Sequence, residues 1–304
     1  MASEGGAAGR LLVWALHWLY RILLVLAGAS AFWIWHTRDE LDARTRFGIG
    51  IPFMAVFAGS ALFFRSRYHR AGRAQDARVA AGIMRALEGG GESGVKFVLY
   101  LRPFDLAGKV LARNPSHSPT IMTPGYFEPE FIDMEAVLAK VFSRVGPLVG
   151  LGDPGQTAEV AARERGAGLF LVRSGRWQEK LLLLAEHALL ILVIPWDSES
   201  CLWEMEAVLG AGFLEKTVFL LPREMVEGVR SQPPYLDGDR WRSIRDAYGR
   251  QPLGLAVPTS IENGAIFALE TGGELKSAAA AFSLDSVYQA RRALRSCHPA
   301  TKNF

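Results

Sequence analysis

The chain has 304 residues, half of them apolar, which is enough to bury a sizeable core in one large or two small domains. A formal charge of +3, with arginines scattered along the chain, argues against nucleic acid as a partner. Two cysteines without paired spacing, Cys201 and Cys297, and six histidines without ligand spacing (His17, His36, His69, His117, His187 and His298) argue against a disulfide framework and a metal centre.

After ten small and polar residues, Leu11 to Trp35 is a largely apolar run of about 25 residues, long enough to cross a bilayer with tilt. His17 and Arg21 interrupt it, and Trp14, Trp18, Tyr20, Trp33 and Trp35 suit the two interfaces. A second run, Phe47 to Phe64, is uncharged and about 18 residues long, just enough for a span. The short charged segment His36 to Arg46 joins the two, so residues 1–64 are expected to form a tail and a two-helix transmembrane hairpin. Arg65, Arg67, Arg70, Arg73 and Arg78 follow the second span, against three arginines in the connecting loop. The positive-inside rule then places the rest of the chain in the cytoplasm, beneath an inner (plasma) membrane. A competing reading takes Leu11 to Gly28 as a signal peptide cleaved at Ala29-Ser30-Ala31; Arg21 inside the apolar core speaks against it.

Residues 65–94 read as a basic juxtamembrane helix, solvated beside anionic lipid, and a flexible linker, Gly89-Gly90-Gly91-Glu92-Ser93-Gly94. A soluble α/β domain is expected from residue 95. Val95 to Leu101 is its first strand, followed by a long polar stretch, Leu106 to Pro129, of the kind that forms lids. Glu130 to Arg144 has a helical spacing of apolar residues, Pro147 to Leu151 and Gly168 to Val172 read as strands, and Ser174 to His187 as an amphipathic helix. Ala188 to Ile194 and Thr217 to Leu221 are apolar at nearly every position, as strands covered on both faces must be, and one helix connects them, giving a parallel βαβ unit. Residues 223–304 form an extension with a helix over Asp239 to Tyr248, weak strands over Leu253 to Val257 and Gly264 to Leu269, and a last helix over Leu284 to Arg295.

The turn Trp196-Asp197-Ser198-Glu199-Ser200 follows a central strand, at the edge where open α/β sheets bind ligands. Arg102, Phe104 and Asp105 follow the first strand and share that rim; an arginine there can pair with phosphate and an aspartate with a ribose hydroxyl, or the two can serve only as a salt bridge and a loop cap. Asp197, Ser198 and Ser200 are each good helix N-caps. On the helix that follows, with Leu202, Met205, Leu209 and Gly212 inward, Glu204 and Glu206 flank the buried stripe at about 100° to either side, so periodicity does not choose between them. Glu204 is nearer the helix start. The string Gly150-Leu151-Gly152-Asp153-Pro154-Gly155 spells the dinucleotide fingerprint, but Pro154 and Gly155 read as a turn where that fingerprint needs a helix to open.

The strand ending Leu101-Arg102-Pro103-Phe104-Asp105, the serine-containing turn, and Ser200-Cys201-Leu202-Trp203-Glu204-Met205-Glu206 resemble the Toll/interleukin-receptor (TIR) domain and its relatives in bacterial membrane proteins, over residues 95–222. The resemblance implies a flavodoxin-like parallel sheet and, in the members that cleave NAD, a catalytic glutamate on this helix. Here Cys201 precedes Trp203, and the glutamates stand one and three positions after it where the family has four. The nucleoside deoxyribosyltransferases resemble it too in placing a glutamate there. On this resemblance Glu204 and Glu206 are the catalytic candidates, and Arg102, Phe104, Asp105, Trp196, Asp197, Ser198 and Trp203 the nucleotide-binding ones. It further implies NAD or a related nucleotide as substrate with no bound cofactor, self-assembly into a homo-oligomer, and a role in bacterial defence or signalling. The alternative is a non-catalytic scaffold that acts by homotypic assembly at the membrane.

Overall fold

The computed structural model describes residues 4–36, 43–91, 94–103, 109–112, 130–152, 167–171, 176–226, 236, 238–250, 254–279, 282–284 and 286–297. They fall into two compact units, Met1–Gln75 and Asp76–Phe304.

In the first unit, α1 (Glu4–His36) is a single 33-residue helix without proline. Its segment Trp14–Trp33, 20 residues, is long and apolar enough to cross a membrane, and none of it is buried. The helix α2 (Ala43–Glu88) takes in the second apolar run, with Pro52 inside it. Its apolar segment Ala55–Phe64 is shorter than a span, so among the described residues α1 is the helix long and apolar enough to cross.

The second unit begins inside α2. Ala80, Ile83, Met84 and Leu87 are buried in its core, the i, i+3, i+4, i+7 stripe of a helix packed on one face. The domain therefore starts before the glycine-rich segment, not after it. The contact is close: a Cβ on Gly168 would stand 2.5 Å from the Ala80 side chain and 2.6 Å from the Asp76 carbonyl oxygen. Lys180 Nζ also meets Glu88 Oε1 at 2.9 Å.

The strands are β1 (Val98–Leu101), β4 (Leu148–Gly152), β5 (Ala167–Leu171), β6 (Leu190–Val193), β7 (Thr217–Leu221), β8 (Ala265–Leu269) and β9 (Leu275–Ala279), in one sheet of order β5-β4-β1-β6-β7-β8-β9. The first five are parallel, while β8 and β9 each pair antiparallel to the strand before. A separate two-stranded ribbon pairs β2 (Lys109–Ala112) with β3 (Glu130–Asp133).

The chain is thus α/β with a mostly parallel sheet, but two expectations are corrected. Counted in chain order, the parallel strands run 3-2-1-4-5, one of the two common doubly wound orders, and not the other, the 2-1-3-4-5 of a flavodoxin-like sheet. Residues after 222 form no separate extension, because β8 and β9 continue the same sheet past β7. Gly264 makes that return possible: its φ is +72°, and a Cβ there would run into the Phe282 carbonyl.

Smaller differences follow from local chemistry. The helix expected from Glu130 begins at Met134, as α3 (Met134–Phe142), because residues 130–133 pair with β2. Gly150 and Gly152 are strand residues paired with Leu169 and Leu171, so the glycine-rich string does not open a phosphate-binding turn at them. Of the expected strand Leu253 to Val257, residues 254–257 are irregular, and β9, mostly exposed, was not expected at all.

The remaining helices are α4 (Trp177–His187), α5 (Glu199–Gly210), the short α6 (Arg223–Val226), α7 (Gly238–Gly249) and α8 (Val287–Cys297). From β1 the chain steps outward through β4 and β5, then returns to β6 and β7 on the other side. Right-handed crossovers put α3 on one face and α4 and α5 on the other. Observed contacts agree: Arg291 Nε of α8 donates to the Val141 carbonyl of α3 at 2.9 Å, whereas Trp177 of α4 meets Trp203 of α5.

Candidate functional site

The direction of the chain reverses between β1 and β6, and ligands bind doubly wound sheets in the crevice at the carboxyl ends of such a strand pair. Arg102 follows β1 and Trp196 follows β6, and the Ile194 amide donates to the Leu101 carbonyl at 3.0 Å to hold the two ends side by side. The two rims differ. Arg102 is buried and its Nη1 lies 3.4 Å from Oε1 of the buried Glu135 at the start of α3. That guanidinium is an internal ion-pair partner, one of the two roles the sequence left open. Phe104 and Asp105 lie outside the described residues.

At the end of β6, Trp196 is buried and makes no hydrogen bond through its indole N–H to any described residue. The Arg240 guanidinium of α7 stands 4.7 Å from its ring centroid, in cation–π geometry. Asp197 is held by the same helix: Arg240 Nη2 lies 2.6 Å from Oδ1, and Ser243 Oγ donates to Oδ2 at 2.9 Å. Ser198 occupies the N-cap of α5 in extended conformation, yet its hydroxyl faces Ser200 Oγ at 3.3 Å and makes no capping bond.

On α5 the structure separates the two glutamates. Cys201, Glu204, Met205 and Val208 form the buried stripe, while Glu206 is exposed. The inward face is rotated toward Glu204 relative to the expected Leu202, Met205 and Leu209 stripe. Glu204 is 5 % exposed and has neither a hydrogen bond nor an ion pair to a described residue. Burial pushes its carboxyl up to about 8. Tyr248 of α7 faces the same region. Its phenol is driven well above the ordinary value, first by burial and then by Cys201; the nearby Trp196 main chain opposes this without forming a well-aligned hydrogen bond, and Glu204 and Asp197 add to the rise.

Trp203 does not join this group through its ring, which is half-buried edge-on against Trp177, with centroids 4.8 Å apart and planes at 70°. The structure therefore brings together Trp196, Asp197 and Glu204, and adds Arg240, Ser243 and Tyr248 from a segment that the sequence left without a role. The Trp241, Ile244 and Tyr248 spacing marks the inner face of α7, but no sequence signal says that Tyr248 comes near Glu204.

Chemically, the Trp196 indole N–H and the Tyr248 hydroxyl are buried without a well-formed hydrogen bond among the described residues, and the buried Glu204 carboxyl lies near Tyr248 at the same end of a central strand. Such groups in a native fold call for an explanation such as a ligand, a water or a catalytic role. A carboxyl titrating near 8 is mostly protonated at neutral pH and can act as an acid. A cation seated against it would favour ionisation. Among the described residues no group of His, Cys, Asp and Glu has the arrangement of a metal site.

Compared with known proteins, the chain matches no family model, no curated protein and no solved structure.

Proposed function

We propose that the domain binds a cationic N-glycoside of the NAD type at the β1/β6 crevice and cleaves its N-glycosidic bond, with Glu204 as the catalytic carboxyl. The observation that carries this reading is Glu204 itself: a buried acid without a partner among the described residues, at the ligand edge of the sheet. Because the sheet order is not that of the TIR resemblance, the proposal rests on this carboxyl and not on kinship. A pyridinium riboside brings a fixed positive charge, which offsets the desolvation that keeps Glu204 protonated. Once ionised, the carboxylate stabilises the positive charge that develops on the ribose as the bond to nitrogen breaks. The bonding pair leaves with the ring as neutral nicotinamide, water adds to the anomeric carbon, and its proton passes to Glu204 or to solvent. Asp197 and the Trp196 indole N–H are polar contacts for the nucleotide, and Glu206, being exposed, is a control position.

The same reading keeps the protein on a bilayer, with α1 as one span, residues 47–64 as the second, and the domain cytoplasmic beside the arginines that follow. It assigns the chain to defence or signalling as an effector that works in a homo-oligomer.

The test is nicotinamide release from NAD by the full chain in neutral detergent and in vesicles. Glu204→Ala and Glu204→Gln are expected to lose roughly 10²-fold or more, and Glu206→Ala to keep wild-type rates. Activity that survives both glutamate substitutions removes Glu204 from the mechanism. A wild-type chain that releases no nicotinamide, and whose melting temperature ignores NAD, returns the protein to the non-catalytic assembly reading.

A further inference from the structure

A second site is visible on the other flank of α7. Between the start of this helix and residues 259–262 lies a cleft of about 320 Å³, at the small end of the range for ligand sites. Trp241 and Ile261 are its buried apolar lining; Arg242 and Arg245 from α7, and Thr259 and Ser260 opposite, are its polar lining. Its two sides are fastened together, because Trp241 Nε1 donates to the Pro258 carbonyl at 3.0 Å. The cleft is thus preformed rather than a gap between independent loops.

The charges are unequal in what they leave free. Arg242 Nη1 lies 3.1 Å from Asp239 Oδ1, but both side chains are largely exposed, so the pair is weak and screened. Arg245, three positions on and half-buried, has neither an ion pair nor a hydrogen bond to any described residue. A planar guanidinium and two hydroxyls lining one cleft offer donors that phosphate oxygens accept. Glu262 also lines the cleft. Its carboxylate repels a second phosphate and accepts hydrogen bonds from ligand hydroxyls, which disfavours polyphosphates and favours a singly phosphorylated polyol.

We propose that this cleft binds a small phosphate monoester bearing hydroxyl groups, of the sugar-phosphate class, at a site separate from Glu204. Isothermal titration of the full chain in neutral detergent with ribose 5-phosphate, inorganic phosphate and ribose tests it. Saturable binding of ribose 5-phosphate is expected, roughly tenfold tighter than inorganic phosphate, with no binding of ribose. Arg245→Ala should weaken the ester at least about tenfold while the unliganded melting temperature stays within a degree or two of wild type. Arg245→Lys, which keeps the charge but not the fork, should fall between, and Glu204→Gln should bind as wild type does. Inorganic phosphate binding as tightly as the ester, binding unchanged in both Arg245→Ala and Thr259→Ala, or no saturable heat up to about 10 mM ester would each overturn the assignment.

Discussion

Glu135 and Glu204 are buried to a similar depth, 1 % and 5 % exposed, on helices α3 and α5. Their electrostatic situations are opposite. Glu135 has the Arg102 guanidinium at 3.4 Å, so the charges taken out of water face each other, whereas Glu204 has no counter-charge among the described residues and holds a proton instead. Paired burial of this kind is what an internal strut needs; unpaired burial costs stability and is tolerated where a ligand or a reaction uses it. The difference teaches that burial alone does not mark a functional carboxyl, and that what stands opposite it does.

The largest effect that separates the two is the response of stability to pH. In the native protein Glu204 keeps its proton up to about 8, while in the unfolded chain the ordinary value of 4.5 applies. The native state therefore binds the extra proton between those values, so its contribution is intact below about pH 4.5 and is lost as the pH rises toward 8. The full difference is at most about 5 kcal/mol. Urea unfolding of the full chain at pH 5 and pH 8 should show this loss in wild type and a much flatter profile in Glu204→Gln. Identical profiles would mean that Glu204 is solvated or paired in solution.

Next in size is the strut. Glu135→Ala leaves the Arg102 charge buried beside a vacated space and should cost about 4 kcal/mol, whereas joint replacement of Arg102 and Glu135 by Met and Leu should recover most of it. The midpoint of denaturant unfolding measures both. A single variant within about 1 kcal/mol of wild type would place the pair in water and erase the contrast with Glu204.

The smallest effect concerns how the Glu204 side of the crevice is held. Ser243→Ala removes one of the two α7 contacts to Asp197 while Arg240 keeps the other, so a loss of about 1 kcal/mol is expected. Thermal unfolding at fixed pH reads it. No loss would mean that α7 is kept in place by Tyr248 and Trp241 packing alone.

Much of the fold was legible because strands covered on both faces leave continuous apolar runs. Ala188 to Ile194 and Thr217 to Leu221 contain β6 and β7, and the turn between them does lie at the ligand edge. The order of those strands was not legible, since every parallel strand carries the same apolar run whatever its neighbour. Nor was β9, whose residues Leu275–Ala279 are mostly exposed at the sheet edge and carry no alternation to read. Trp203 shows the limit for side chains. An aromatic residue beside a candidate glutamate reads as a ligand wall, yet its partner is Trp177 of the preceding helix.

What the sequence by itself determined is local. An N-terminal helix with the length and apolarity of a membrane crossing, an α/β domain after it, and two glutamates on the helix after Trp196 all follow from periodicity, and periodicity is written in neighbouring residues. What only the tertiary structure decided is which glutamate is buried and what stands opposite it. That depends on α7 bringing Tyr248 toward Glu204 and Arg240 onto Trp196, and on α3 bringing Glu135 to Arg102. The helical wheel places Glu204 and Glu206 symmetrically about the core stripe; tertiary packing breaks the symmetry, because desolvation is set by what covers a side chain and not by the chain that carries it.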